Sequence, residues 1–93
     1  MEKMNRVLSR LAEGMDLPGE PIPGMSIVEL LGTERVLIER HKGITTYGDS
    51  QIRVRVSFGS VLVKGEKLFM SQMTARQVVI MGLIQGIDIE RGI

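Results

Sequence analysis

The sequence predicts an all-β domain that follows one short N-terminal helix, and three observations support this prediction. Apolar residues recur at intervals of three and four only near the N-terminus, as they do on one face of a helix. From residue 26 onward, they alternate with polar residues or gather in short β-branched runs, which is typical of strands. Glycines separate these runs at regular intervals and indicate turns or bulges.

The predicted helix covers residues 3–15, where one stripe of apolar side chains follows the helical period. The residues of this stripe are Met4, Val7, Leu8, Leu11 and Met15. Gly14 and Pro18 are stop signals at its end. Because a segment of about 13 residues is too short for a stable isolated helix, the stripe must dock on the domain's own sheet, a partner or a neighbouring subunit.

The composition divides the chain into three parts. Residues 1–16 contain the amphipathic helix, residues 17–25 form a linker, and residues 26–93 form the all-β domain. The linker is rich in proline and glycine, and it cannot continue a helix because proline lacks an amide hydrogen and restricts the residue before it. Such a linker would let the helix reach outward to a partner.

Within the all-β domain, β-branched runs predict four strands, at residues 35–39, 51–58, 60–64 and 77–81. The clearest alternation places four apolar side chains on one face, namely Ile52, Val54, Val56 and Phe58. We expect a core that includes Val54, Val56, Val61, Val63, Val78 and Ile80. No helical pattern of useful length follows residue 26.

The sequence constrains the arrangement of the strands less than it constrains the fold class. Three similar segments (44–48, 61–65 and 78–82) begin with Ile or Val and end in glycine, and their starts lie 17 residues apart. This period favours slightly a β-solenoid or β-roll, a stack of short strands. The alternative is a small antiparallel β-sandwich or barrel, in which regular hairpins produce a similar period. Residues 82–86 are expected to form a turn, because no helix follows them as in a phosphate-binding glycine loop.

Catalytic residues are not apparent. The chain has one histidine and no cysteine, and no serine lies in the sequence context of a nucleophile. A nucleophile needs a base within hydrogen-bond reach and usually a third group that orients the base. His41 has no such companions, and the like charges of Arg40 and Lys42 oppose its protonation. We therefore expect no enzymatic activity, no metal and no cofactor, and a His41 that stabilises a turn or contacts a partner.

A basic cluster lies between residues 35 and 55, where five basic residues stand against two acidic ones. The basic residues are Arg35, Arg40, Lys42, Arg53 and Arg55. Such a cluster can bind phosphate groups, anionic lipid or an acidic partner, although a solvated sheet face is the simpler interpretation. A net charge of +1 and the presence of one tyrosine, two phenylalanines and no tryptophan argue against nucleic acid as the ligand.

Several short motifs, taken in order, resemble the YqfC/YabP family of sporulation proteins, closer to the YqfC branch. They are Asp16-Leu17-Pro18, Gly32, Glu39 through Ile44 with Tyr47, Ile52-Arg53-Val54, Lys64-Gly65 and Gly82-Leu83-Ile84. The resemblance extends from Asp16 to Glu90. Two positions depart from the family pattern: Arg40 replaces a usual asparagine, and Leu83 replaces a usual basic residue. These departures put in doubt any role of those two side chains.

The resemblance implies a protein of endospore formation in the mother-cell cytoplasm of a Gram-positive bacterium. It also implies a membrane-protein partner and no known enzymatic activity. We expect a scaffold or interaction domain that binds this partner, assembles into a homo-oligomer, or does both, peripheral to the forespore membrane. The alternative is a module that binds phosphate or anionic lipid through the basic cluster. The candidate partner-binding residues are Met4, Val7, Leu8, Leu11, Met15, Arg40, His41, Lys42, Arg53 and Arg55.

Overall fold

The computed structural model describes residues 24–92, and all of their regular structure is β-strand. The six strands are β1 (Ile27–Leu31), β2 (Arg35–Glu39), β3 (Ile44–Tyr47), β4 (Gln51–Val56), β5 (Gly59–Met73) and β6 (Gln77–Arg91). They form one antiparallel sheet in the order β1-β2-β6-β5-β4-β3. The all-β prediction for this part of the chain is confirmed.

The central hairpin of β5 and β6 is long, since each of its strands has 15 residues, against about five or six in a typical strand. Different parts of this hairpin pair with different strands. Residues 77–81 of β6 pair with β2, whereas residues 59–64 of β5 pair with β4. The sheet therefore has two parts. We call them the β1–β2 half, which includes residues 69–73 and 77–81, and the β3–β4 half, which includes residues 59–65 and 83–91.

The two halves meet at a bend in the hairpin, where the strand register shifts between Lys64 and Gly65 and again between Glu66 and Phe69. Gly82 has a φ of 139°, and a Cβ there would lie 2.6 Å from the carbonyl oxygen of Lys67. At Gly65, a Cβ would collide with the carbonyl oxygen of Leu83. Only glycine fits at both positions, because the backbones of the two strands approach so closely.

Side chains from both halves form a single core. The fully or almost fully buried residues are Val36, Ile38, Ile52, Val54, Val56, Val61, Val63, Leu68, Val78 and Ile80. One flat sheet cannot bury residues of its two ends in one cluster, so the open sheet bends until the inner faces of its two halves pack together. Every residue that the sequence predicted for the core is confirmed as buried.

Hydrogen bonds fasten the far ends of the two halves together. Ser26, just before β1, donates its backbone N–H to the Ser57 hydroxyl at 2.9 Å, and the Ser57 N–H donates to the Ser26 hydroxyl at the same distance. The Ser26 hydroxyl in turn donates to the carbonyl oxygen of Arg40 at 2.7 Å. Ser26 is 4% exposed, so these bonds satisfy a polar group that would otherwise be buried without partners.

Several sequence predictions need correction. The strands form one open antiparallel sheet and not a solenoid. The regularly spaced glycines lie at hairpin turns and at the central bend. Residues 82–86 lie inside β6 and not in a turn, because the extended hairpin continues through the bend. β1 and β3 were not predicted, and β5 and β6 are longer than expected. The predicted helix over 3–15 lies outside the described residues.

Candidate interaction surface

The outer face of the β1–β2 half is an apolar surface that the described residues leave partly open. In antiparallel strands, directly paired residues share a face. Leu37 pairs with Val79, and both point away from the core, because their neighbours Val36, Ile38, Val78 and Ile80 are buried. A second row on the same face joins Leu31, Arg35, Met81 and Phe69 through three strand pairings. We call Leu31, Leu37, Phe69, Val79 and Met81 the apolar face.

The apolar face is accessible to a large partner. Leu31 is 46% exposed and Phe69 is 48% exposed, so no element within residues 24–92 covers them. Two shallow depressions lie along the face, of about 390 and 420 Å³, and Met81 lines both. Leu83, which is 50% exposed, extends the apolar surface beyond the bend. Exposed apolar patches of this kind on a small domain typically mark a site of protein–protein contact.

The outer face of the β3–β4 half has the opposite character. Arg53 donates two hydrogen bonds to the carboxylate of Glu90, from Nε at 2.9 Å and from one terminal nitrogen at 3.1 Å. Lys64 pairs with Asp88 at 3.0 Å. Leu62 lies between these residues in the register and is only 7% exposed. This face is already satisfied by its own ion pairs, so it offers little to an apolar partner.

The ion pair between Arg53 and Glu90 shifts the titration of both groups. The hydrogen bonds from Arg53 lower the pKa of Glu90 below its ordinary value, and partial desolvation of the carboxylate opposes that shift. The same contact raises the pKa of Arg53. Arg53 was a predicted partner-binding residue, but its guanidinium is paired with Glu90 within the sheet.

A second candidate surface is a basic corner, which we define as Arg40, Lys42, Arg55 and Arg76. Backbone hydrogen bonds bring these residues together: Arg40 N–H donates to Arg76 O at 2.5 Å, and Lys42 N–H donates to Arg55 O at 2.7 Å. Within residues 24–92, no carboxylate lies in ion-pair contact with any of the four. A depression of about 280 Å³ beside the corner is lined by Arg40 and Arg76, and also by Glu39.

His41 holds this corner in place and has no catalytic geometry. Its Nδ1 accepts a hydrogen bond from the Gly43 backbone N–H at 3.0 Å, so the ring hydrogen is on Nε2. Nε2 then donates to the carbonyl oxygen of Thr74 at 2.8 Å. The imidazole therefore connects the β2–β3 loop to the β5–β6 turn, in agreement with the turn-stabilising role that the sequence suggested.

The loop also explains one departure from the resembled family pattern. Arg40 has a φ of 59°, in the left-handed region that asparagine adopts more readily than arginine does. The usual asparagine at this position is thus understandable from backbone geometry. Arg40 stabilises the loop in another way, because its guanidinium donates to the carbonyl oxygen of Met25 at 3.3 Å.

The structure thus brings four of the predicted partner-binding residues into one region: Arg40, His41, Lys42 and Arg55. The five residues of the N-terminal stripe, from Met4 to Met15, lie outside the described residues. Sequence reasoning missed Arg76 and the whole apolar face. A signal for the face did exist, because Val78 to Met81 are apolar at both odd and even positions. A strand with one solvated face would alternate instead.

The described residues contain no helix long and apolar enough to span a membrane. They also contain no group of three or more histidine, cysteine or acidic side chains that could bind a metal ion. Among known proteins, a family model described as the YabP family matches residues 24–92. No curated protein and no solved structure matches the chain.

Proposed function

The chain belongs to the YabP family, and on that premise we propose that it is a non-enzymatic interaction domain of endospore formation. The family indicates a sporulation-related protein and is not a known enzyme family. The proposed activity is binding of a membrane-protein partner from the same pathway, by which the chain is held at the forespore membrane from the mother-cell side. The proposed binding surface is the apolar face.

The exposed apolar face is the observation that carries this proposal. Leu31, Leu37 and Val79 lie on the outer face, so the core, which forms on the inner face, does not explain their apolar character. A mostly apolar centre with polar residues at its border is the usual anatomy of a protein interface. Here the border is formed by Glu29, Gln72 and Gln77, and Arg35 lies within the face, between Leu31 and Met81. The partner that fits is a polypeptide segment with an apolar stripe, such as one face of an amphipathic helix.

Substitution of Leu31 by lysine tests the proposal in sporulating cells. Leu31 is exposed, so Leu31→Lys leaves the core unchanged but places a charge within the binding surface. Burial of an unpaired charge is costly, so we expect about a tenfold or greater loss of the membrane-bound fraction of the chain. The measurement is the amount of chain that sediments with membranes, together with the count of heat-resistant spores.

Ile89→Lys is the matched control, because Ile89 is an apolar residue of similar exposure, at 53%, in the β3–β4 half. This control should retain wild-type membrane association and spore count. The proposal fails if Leu31→Lys also retains both. It fails as well if the two variants lose them equally, since the loss would then not depend on the apolar face.

The basic corner supports a second candidate function, the binding of phosphate groups or anionic lipid headgroups. Four cations without carboxylate partners among the described residues favour it. Sedimentation of the purified chain with phosphatidylglycerol vesicles separates the two candidates. Binding through the corner needs no protein partner and weakens steeply as salt rises, whereas binding through the apolar face needs the partner and changes little with salt.

A further inference from the structure

The bent sheet has four open edge segments within the described residues, because the central hairpin is longer than its neighbours. Two of them are the outer strands β1 and β3. The third is residues 85–91 of β6, which extend beyond the pairing with β2. The fourth is residues 69–73 of β5, which extend beyond the pairing with β4. An open edge presents unpaired N–H and C=O groups that can pair with another chain.

Three of these edges carry features that oppose pairing with a second copy. β1 has Glu29 at its centre, so antiparallel self-pairing about that position would place two carboxylates opposite each other. β3 has only four residues and an irregular register between Ile44 and Thr46. Residues 85–91 of β6 include Asp88, Glu90 and Arg91. Charges, short length and irregularity are the usual protections of an edge strand.

The β5 edge lacks charge entirely. Residues 69–73 read Phe-Met-Ser-Gln-Met, with no charged residue and no proline. Phe69 and Met73 are 48% and 51% exposed, so the edge is apolar as well as unpaired. Its one irregularity is a register shift between Met70 and Gln72, which bends the strand but adds no charge.

We propose that residues 69–73 of β5 pair in antiparallel fashion with the same residues of a second copy of this chain. A two-fold axis makes such a contact self-complementary and closed, so it yields a dimer and not a filament. The pairing satisfies the open backbone groups of both copies and buries Phe69 and Met73 against the partner. It also joins two apolar faces into one continuous surface, since Phe69 belongs to that face.

Self-pairing goes beyond the proposed function, because it uses the edge of the sheet and shares only Phe69 with the apolar face. The charges that flank the edge predict its salt dependence. Antiparallel pairing centred on Ser71 places Arg76 of one copy opposite Glu66 of the other, with Lys67 beside Glu66, so attraction and repulsion largely cancel. Association should therefore change little between low and moderate salt.

Sedimentation of the full chain over about 1 µM to 1 mM, in low and in moderate salt, tests the proposal. We expect the mass to rise from one chain to two, with hydrogen exchange at residues 69–73 slowing over the same concentrations. Met73→Lys should weaken dimerisation by about tenfold or more, because lysine on an edge strand opposes pairing. Ile89→Lys, the same kind of change at similar exposure on the β6 edge, should leave dimerisation unchanged.

Four outcomes would overturn the proposal. One is a constant mass of one chain, and a second is growth beyond two chains. The third is equal weakening by Met73→Lys and Ile89→Lys, which would indicate a contact elsewhere. The fourth is protection, at the lowest concentration, of those amides of residues 69–73 that point away from β6, since another segment of the same chain would then cover the edge. A thermal melt of each variant verifies that the fold is retained.

Discussion

The two outer faces of the sheet are built from the same central hairpin, yet one is apolar and the other is charged. In the β1–β2 half, Leu37 and Val79 face outward and are partly exposed. In the β3–β4 half, the corresponding surface carries the ion pairs of Arg53 with Glu90 and of Lys64 with Asp88. Since both halves bury an equivalent inner face in one core, the difference between the outer faces is not required for folding. Under the proposed function, the apolar face is the one that binds another molecule.

The contrast has its origin in two stretches of β6. Residues 77–81 are apolar at four consecutive positions after Gln77, whereas residues 87–90 alternate between isoleucine and an acidic residue. Alternation is the pattern of a strand with one solvated face. A continuous apolar run is typical of a strand with both faces covered. In this chain, the described residues cover only one face of that run.

One added methyl group should disrupt the bend between the two halves of the sheet. Gly82→Ala should destabilise the chain by about 2 to 4 kcal/mol, because alanine is strained at a φ of 139° and its Cβ would meet the Lys67 carbonyl oxygen. Gly86→Ala on the same strand is the control: its nearest neighbour would be Lys64 Cε at 3.6 Å, and it should change stability by less than about 1 kcal/mol. Denaturant unfolding measures both. Equal, small effects would mean that the bend tolerates a side chain.

A pair of leucine substitutions sharpens the comparison between the faces. Leu62→Ala should cost about 2 to 3 kcal/mol of unfolding free energy, since Leu62 is 7% exposed beneath the charged face. Leu37→Ala should cost only about 1 kcal/mol, because the half-buried Leu37 loses less apolar contact in the isolated chain. With a bound partner, we expect the order of the two effects on complex stability to reverse. If Leu37→Ala costs the isolated chain as much as Leu62→Ala, the apolar face is covered within the chain itself.

The smallest expected effect concerns the charged face and is seen only in acid. Because the pKa of Glu90 is lowered in the folded chain, its ion pair favours folding above the ordinary value near 4.5, and this contribution is lost as the pH falls through the lowered pKa. Glu90→Gln should therefore remove part of the fall in melting temperature between about pH 5 and about pH 3. The change is small because solvent screens this partly exposed pair. An identical pH profile for the variant would show that the pair contributes nothing.

The accuracy of the sequence predictions depended on how local each feature is. The bounds of β2 were predicted correctly, because Arg35 to Glu39 form a compact β-branched run. β1 was missed since Ile27 to Leu31 lack clean alternation, and β3 because it has only four residues. The second half of β5 was missed because methionine, serine and glutamine dominate it, and none of them is β-branched. Its strand structure comes from pairing with β6 and not from its own propensity.

The sequence by itself determined the all-β class of the described residues and the buried side of the strands that it predicted, because alternation along a strand encodes its two faces locally. It also placed a cluster of basic residues between positions 35 and 55. The tertiary structure decided the rest. It placed Arg53 beside Glu90, added Arg76 to the basic corner, and left one outer face apolar and the β5 edge unpaired. These features join residues far apart in the chain, and they depend on the register and bend of the long hairpin, which no local pattern specifies.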